Sequence, residues 1–254
     1  SRPAGYRFAG LGSFRGANRS MPEEHNRVLT DHVAELLFCP TQKAADNLSR
    51  EGIDRGVHLV GDVMYDAVLH NVGVAERRSQ VLSQLGLTAG TYALATVHRP
   101  RNTNDRLRLR SILAALETLD RPVVLPAHPR TREAIESLNY RPKPSVKIIK
   151  PVGYLDMLLL EQQAQLILTD SGGVQKEAYF FGVPCLTLRE ETEWVETVER
   201  GWNRLVGADF QGIVESALDF RPTGTRPPVF GDGHASERIA GVLVEGRQAG
   251  RSEA

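Results

Sequence analysis

From Gly90 to Val206 the sequence alternates between short apolar runs and amphipathic stretches, and this rhythm constrains the fold more than any other feature. Strands are expected at 92–97, 122–126, 146–149, 165–169, 185–188 and 203–206. Between them, helices fit at 105–119, 130–138, 154–162, 173–181 and 193–199. Two more helices are expected at 210–220 and 234–246, and an irregular tail at 247–254. Strand and helix in regular alternation specify a parallel sheet wrapped by helices on both faces, a doubly wound α/β fold. In such a sheet ligands bind at the C-terminal ends of the strands, so the loops that follow the strands carry the search for function.

Upstream of Gly90 the pattern is less regular. The first twenty residues, rich in Gly, Arg and Ser, read as irregular. Pro22 suits a first helical turn, with Glu23 and Glu24 complementing the positive end of the helix dipole. Val28, Leu29, Val33 and Leu36 then recur at helical spacing. A short strand is expected at 37–39, a helix capped by Thr41 through Leu48, and a strand at 57–60 closed by Gly61. The polar, helical segment 75–90 reads as a linker. The expected organisation is therefore a partial lobe at 1–74, a linker at 75–90, and a complete Rossmann-like lobe at 91–246 that includes a returning C-terminal helix.

Composition narrows the class of partner. The chain has 254 residues, enough for one large domain, or for one whole domain and part of another. Its 31 basic and 31 acidic residues cancel, which gives no footing for nucleic acid or an anionic membrane surface. No stretch is long and apolar enough to span a bilayer, and residues 1–12 contain no apolar signal core. Cys39 and Cys185 lie far apart in apolar runs and read as buried free thiols, which points to a reducing cytoplasm. There is no metal-ligand cluster, no Cys-x-x-Cys pair and no nucleophile elbow.

Three polar loops follow expected strands. In the first, Asp170, Ser171, Gly172 and Gly173 lie between an apolar strand and a helix. Free amides at that helix start, beside glycines without side chains, make an anion site suited to a diphosphate. Glu177, one turn further on, is placed to accept hydrogen bonds from ribose hydroxyls. The plain alternative is a Ser N-cap with glycines in a tight turn. The second loop carries His98 and Arg99, the third His128 and Arg130. Either histidine could contact phosphate or move a proton near neutral pH, or each loop could merely cap the next helix. Convergence of all three on one rim outweighs any one alone. A fourth signal, Glu23 and Glu24 near Arg27, reads first as a dipole complement and a solvated face. Its chemical reading is a carboxylate acting as acid or base.

Together these strings resemble the non-hydrolysing UDP-N-acetylglucosamine 2-epimerases. The resemblance rests on Arg19 to His32, Gly61 to Ala67, Ala95 to Arg99, Pro126 to Arg132, Thr169 to Glu177, Arg189 to Thr197 and Gly231 to Ala235, in the family's order and spacing. It implies the GT-B architecture, with the chain supplying a complete C-terminal lobe and the end of an N-terminal one. It implies an isomerase that inverts carbon 2 of a UDP-N-acetylhexosamine to the manno form by eliminating UDP and re-adding it through a glycal. No redox cofactor or obligatory metal is needed. Carried over by position, Glu23 and His98 are catalytic. Arg99, His128, Arg130, Ser171, Gly172, Gly173, Glu177 and Arg189 hold the UDP-sugar. The partner is a UDP-sugar, and the expected assembly is a cytoplasmic homodimer.

The chain departs from the family's pattern near its start. A His-x-Glu-Ala-Gly-Leu-Arg string is expected at 6–12, where the sequence reads Tyr6-Arg7-Phe8-Ala9-Gly10-Leu11-Gly12. Phe8 stands where the family has a catalytic Glu, and Gly12 where it has an Arg. The family's basic pair and His-Gly-Asp segment are not found, so the resemblance implies an N-terminally truncated member. Two competing expectations are a non-catalytic UDP-sugar-binding module and a GT-B glycosyltransferase. The Pro-Glu-Glu and His-Arg strings argue against the second of these.

Overall fold

The computed structural model describes residues 8–9 and 22–252. For 8–9, 22–25, 27 and 246–252 it describes the backbone alone. The chain forms two compact units, one of Ser1–His70 with Pro227–Ala254, the other of Asn71–Arg226.

The first unit contains a three-stranded parallel sheet of β1 (Phe8–Ala9), β2 (Leu36–Cys39) and β3 (Val57–Leu59), in that order. The pairing of Phe8 with Leu36 corrects the expectation that the first twenty residues are irregular. Helix α1 (Pro22–Val33) precedes β2, and α2 (Gln42–Arg50) follows it. Thr41 caps α2 as expected, its Oγ1 accepting from the Ala44 amide at 3.2 Å. Leu37, Cys39, Ala44 and Leu48 form a small core closed by Ile53 and Val57. Gly56 is required where it stands. Its φ is +70°, and a Cβ there would lie 2.0 Å from the Glu35 carbonyl oxygen.

Helix α3 (Val63–Arg78) carries the chain into the second unit, followed by α4 (Val81–Leu85). The segment expected to act as a linker, 75–90, thus consists of the end of one helix and a second short one. The second unit is built on six parallel strands: β4 (Ala93–Thr96), β5 (Val123–Pro126), β6 (Val146–Ile149), β7 (Leu166–Thr169), β8 (Cys185–Thr187) and β9 (Asn203–Leu205). Their order across the sheet is β6-β5-β4-β7-β8-β9. The chain winds outward from β4 in one direction, then from β7 in the other, so the switch point lies between β4 and β7. The loops after those two strands diverge there and leave a crevice.

The helices between the strands are α5 (Pro100–Thr103), α6 (Arg106–Thr118), α7 (Pro129–Ser137), α8 (Tyr154–Gln162), α9 (Gly172–Phe181), α10 (Val195–Glu199) and α11 (Phe210–Asp219). Short α5 was not expected from the sequence; Pro100 starts it. On one face of the sheet, α6 contributes Leu109, Ile112, Leu113 and Leu116, and α11 contributes Ile213 and Ala217, to a core with the strands. Helices α8 and α9 pack against each other. Tyr92 is fully buried, its hydroxyl donating to the Leu160 carbonyl at 2.6 Å, which ties α8 to the start of β4. Cys39 and Cys185 are buried free thiols, as expected. Burial raises them to about 11 and about 12 respectively, so neither supplies a thiolate near neutral pH.

Residues from Pro227 rejoin the first unit, ending in α12 (Ala235–Ser252). The helix runs to Ser252, past the point at 246 where the sequence suggested an irregular tail. Asp66 accepts from the Ala235 and Ser236 amides at 3.1 and 2.6 Å and so caps α12. Two conserved-looking strings of the sequence, Gly61 to Ala67 and Gly231 to Ala235, therefore meet for a structural purpose. Among the described residues no helix is long and apolar enough to cross a membrane.

Candidate functional site

The site is assembled at the switch point by the residues that leave β4 and β7. Strand β7 ends at Thr169, and the next residue, Asp170, is fully buried. A carboxylate in that position needs several donors. It has them: the His98 amide at 3.1 Å, the Arg99 amide at 3.0 Å and Asn102 Nδ2 at 3.0 Å, all from the loop after β4. His98 Nδ1 lies 3.1 Å from Asp170 Oδ1. Burial by itself would raise the Asp170 carboxyl. The hydrogen bonds from His98, Arg99 and Asn102 outweigh it and hold the group below the usual carboxylate range. Asn102 is itself fixed, its Nδ2 also donating to Leu188 O and its Oδ1 accepting from Arg108.

This arrangement sets the histidine. With Nδ1 donating to an ionised Asp170, Nε2 is the ring nitrogen left for a ligand. The His98 side chain is half exposed while Asp170 has no exposure, so the ring is anchored from below and open above. On the other side of the switch point Ser171 caps α9, its Oγ accepting from the Val174 amide at 3.4 Å. The first amides of α9, at Gly172 and Gly173, have no intrahelical acceptor and face outward from the sheet edge. Gly172 packs against Trp194, where a Cβ would come within 3.1 Å of the indole nitrogen. The Lys176 ammonium sits 4.2 Å from the centre of the same Trp194 ring.

A pocket of about 460 Å³ opens here. Its polar wall includes His98, Ser171, His128 and Arg130. The last two come from the loop after β5, where His128 caps α7 and Pro129 begins it. Thr131 Oγ1 donates to Val97 O at 2.8 Å and locks that loop to the one after β4. Arg130 donates to Asn104 Oδ1 at 2.9 Å. The opposite wall is apolar, made of Pro151, Val152 and Met157 from the β6–α8 connection. The sequence reading did not anticipate this wall, nor Asp170 and Asn102. An acidic residue directly after a parallel strand was the available signal for Asp170.

The remaining expected residues lie elsewhere around the same sheet edge. Arg189 makes a bidentate ion pair with Glu193, at 2.8 and 3.0 Å, and Arg99 approaches the same carboxylate at 3.5 Å. Arg189 lines a different hollow, with Arg108 and Glu190, rather than the pocket of His98. Burial alone would raise Glu193, but Arg189 and Arg99 hold it below the usual range. Glu177, on α9, is buried with 7% exposure. Burial pushes its carboxyl up to about 7, opposed by a hydrogen bond from Glu161 and by the charge of Lys176. Glu23 lies in α1, but its side chain is outside the described residues, as are Phe8 and its neighbours up to residue 21 apart from the backbone of 8–9. Among the described residues no group of three or more His, Cys, Asp or Glu is arranged to hold a metal ion.

Comparison with known proteins places this edge in a familiar setting. Residues 4–244 match the family described as UDP-N-acetylglucosamine 2-epimerase. The chain is 48% identical over 241 residues to a UDP-N-acetylglucosamine 2-epimerase homolog of Methanococcus maripaludis, covering 92% of this chain and 67% of that protein. It is 49% identical over 251 residues to UDP-2,3-diacetamido-2,3-dideoxy-D-glucuronate 2-epimerase of Pseudomonas aeruginosa, covering 96% and 68%. Among solved structures it superposes on Methanocaldococcus jannaschii UDP-GlcNAc 2-epimerase in complex with UDP-GlcNAc and UDP. The TM-score there is 0.83 at 40% identity, over 92% of this chain and 67% of that one. The chain thus spans about two thirds of the length of the relatives it matches.

Proposed function

This chain belongs to the UDP-N-acetylglucosamine 2-epimerase family, and on that premise we propose that it binds a UDP-2-acetamido sugar at the switch point and takes part in inversion of carbon 2, converting UDP-N-acetylglucosamine to its manno epimer. One observation carries the reading: loops from β4, β5 and β7 meet in a single pocket that combines a helix N-terminus with His98, His128 and Arg130. That is a diphosphate site by chemistry, with dipole, free amides and cations converging on one volume. The apolar wall of Pro151, Val152 and Met157 suits the flat face of a base, and Glu177 the hydroxyls of a ribose.

Carbon 2 bears no proton acidified by a neighbouring carbonyl, so direct abstraction and return is slow. Elimination of UDP across carbons 1 and 2, followed by re-addition to the glycal, avoids that barrier. The diphosphate then has to be held while it leaves and returns. The amides of Gly172 and Gly173, with Arg99, His128 and Arg130, hold it. His98, fixed by Asp170, meets the charge that develops on the departing oxygen. Glu23 is the carboxylate that moves the carbon-bound proton. Arg189 holds Glu193, which in turn holds Arg99. The working form is a homodimer in the cytoplasm that needs no redox cofactor and no metal.

A second reading, a non-catalytic UDP-sugar-binding protein, is favoured by Phe8 and Gly12, which stand where the family pattern has Glu and Arg. Calorimetry with UDP and proton exchange at carbon 2 in deuterated water separate the two. UDP binding with deuterium uptake, abolished by Glu23→Gln, supports the epimerase. Binding without uptake supports the second reading. No heat at millimolar UDP contradicts both. Running the exchange on UDP-N-acetylglucosamine and on the diacetamido-glucuronate nucleotide tells which sugar is used.

A further inference from the structure

Two glutamates meet in the interior of the second unit. Glu161, in the last turn of α8, has no exposure, and its carboxyl faces that of Glu177 on α9 at hydrogen-bonding distance. As two carboxylates neither could donate, and both oxygens of Glu161 would be buried without a partner. A buried, unpaired charge is too costly to persist, and two adjacent carboxylates in a core do not both ionise. One proton resolves the contact: a protonated Glu161 donates its O–H to Glu177.

We propose that Glu161 is a positioning residue for nucleotide binding, a buried carboxylic acid whose proton fixes the Glu177 carboxylate as acceptor for the ribose hydroxyls. This rests on the nucleotide reading of the pocket and deepens it. A carboxylate has about four acceptor positions. With one taken by Glu161, the group cannot rotate freely, and the remaining positions are held toward the sheet edge where α9 begins. A ribose diol donates two hydrogen bonds, and it needs the ionised acceptor to do so.

The surroundings decide which group keeps the proton. Glu161 is the more deeply buried, and desolvation, then the Glu177 charge, raise it well above the ordinary range. Tyr92 and Cys185 lie near it and are themselves raised by burial, so they stay neutral near pH 7. Tyr154, on α8, is raised by burial and then by Glu177 and Glu161. Lys176, beside Glu177 on α9, favours the ionised form of Glu177. The pair therefore holds one proton at pH 8, on Glu161. Glu177 gains a second as the pH falls through about 7. Protonated Glu177 cannot accept from both hydroxyls. UDP affinity then falls with pH in that window, by up to about tenfold per unit.

The experiment uses the full chain with UDP and with 2′,3′-dideoxy-UDP, which lacks the diol. Affinities are measured by calorimetry from pH 5.5 to 8.5 for wild type, Glu161→Gln and Glu161→Leu. Gln keeps a donor toward Glu177 and is expected to bind UDP within about threefold of wild type. Leu removes the donor and is expected to lose about tenfold in UDP affinity at pH 7, with the pH midpoint moved upward. The dideoxy ligand is expected to bind all three proteins alike. Equal loss of both ligands in Glu161→Leu, no loss of either, or Glu161→Gln as weak as Glu161→Leu would each overturn the role. Carboxyl carbon NMR reads the pair without ligand: the Glu177 midpoint is expected to rise in Glu161→Leu, and an unmoved midpoint overturns the shared proton. Wild type that binds neither nucleotide while the NMR midpoint moves overturns the nucleotide reading and leaves the pair established.

Discussion

Asp170 Oδ1 lies 3.1 Å from His98 Nδ1, and the same carboxylate takes the His98 and Arg99 amides, so one buried group fixes both the ring and the backbone beneath it. The two residues belong to loops on opposite sides of the sheet's switch point. Their contact joins the loop that supplies the histidine to the helix that supplies the free amides.

Asp170→Ala is expected to destabilise the fold as well as the site. Two backbone amides and Asn102 Nδ2 lose their acceptor, and each buried donor left unpaired costs about 1–3 kcal/mol. Urea denaturation checks this. A midpoint equal to wild type would mean that the loop finds other partners.

His98→Ala should behave differently, because the side chain is half exposed and its loss leaves no buried cavity. Stability is expected to change by less than about 0.5 kcal/mol. Any carbon 2 exchange shown by the chain is expected to fall by about a hundredfold to ten-thousandfold. A large loss of stability with exchange retained would reverse the assignment.

Arg130→Ala removes one cation from the pocket's polar wall without touching the sheet. UDP affinity is expected to drop by about tenfold, and less so at high salt, where charge contributions are screened. Calorimetry at low and high ionic strength reads both effects. Uridine, lacking phosphates, is expected to be indifferent to the change.

Stability should be greatest near pH 5. Glu161 and Glu177 have folded-state affinities for protons above their ordinary value of 4.5. The folded state then binds more protons than the unfolded state, so stability is present at the lower end of the window and declines as pH rises from 4.5 toward 7. The slope is at most about 1.4 kcal/mol per pH unit for each proton. Asp170, Glu190 and Glu193 are held below their ordinary values, so their contributions are present above about pH 4.5 and are lost as the solution becomes more acidic. Thermal melts from pH 3 to pH 8 test the shape, and Glu161→Gln is expected to flatten the alkaline side.

Gly56→Ala tests the first unit. A Cβ there meets the Glu35 carbonyl at 2.0 Å, and the φ of +70° adds strain. The expected loss is about 1–3 kcal/mol, read by hydrogen exchange at Leu37, whose amide donates to Gly56 O.

Much of the second unit was legible in the sequence because local patterns and turn residues act within a few positions. The strand–helix rhythm determined the parallel sheet, and Ser171, Gly172 and Gly173 determined the helix start at the end of β7. Loops after parallel strands share one edge, so the meeting of His98, His128 and Ser171 followed from their chain positions alone. The strand at Phe8–Ala9 was not legible, because two residues carry no period and the pairing depends on β2, far along the chain.

What tertiary structure decided is which polar groups face one another. Asp170 reads in the sequence as part of a glycine-rich turn, yet its carboxylate finds its donors about 70 residues away, at His98, Arg99 and Asn102. Arg189, expected at the nucleotide, is held by Glu193 instead. Glu161 looks like a solvated charge at a helix end and is wholly buried against Glu177. Periodicity fixes which face of an element is apolar. It does not state which element lies opposite, and the protonation of a buried carboxyl depends on that partner and on the water excluded around it.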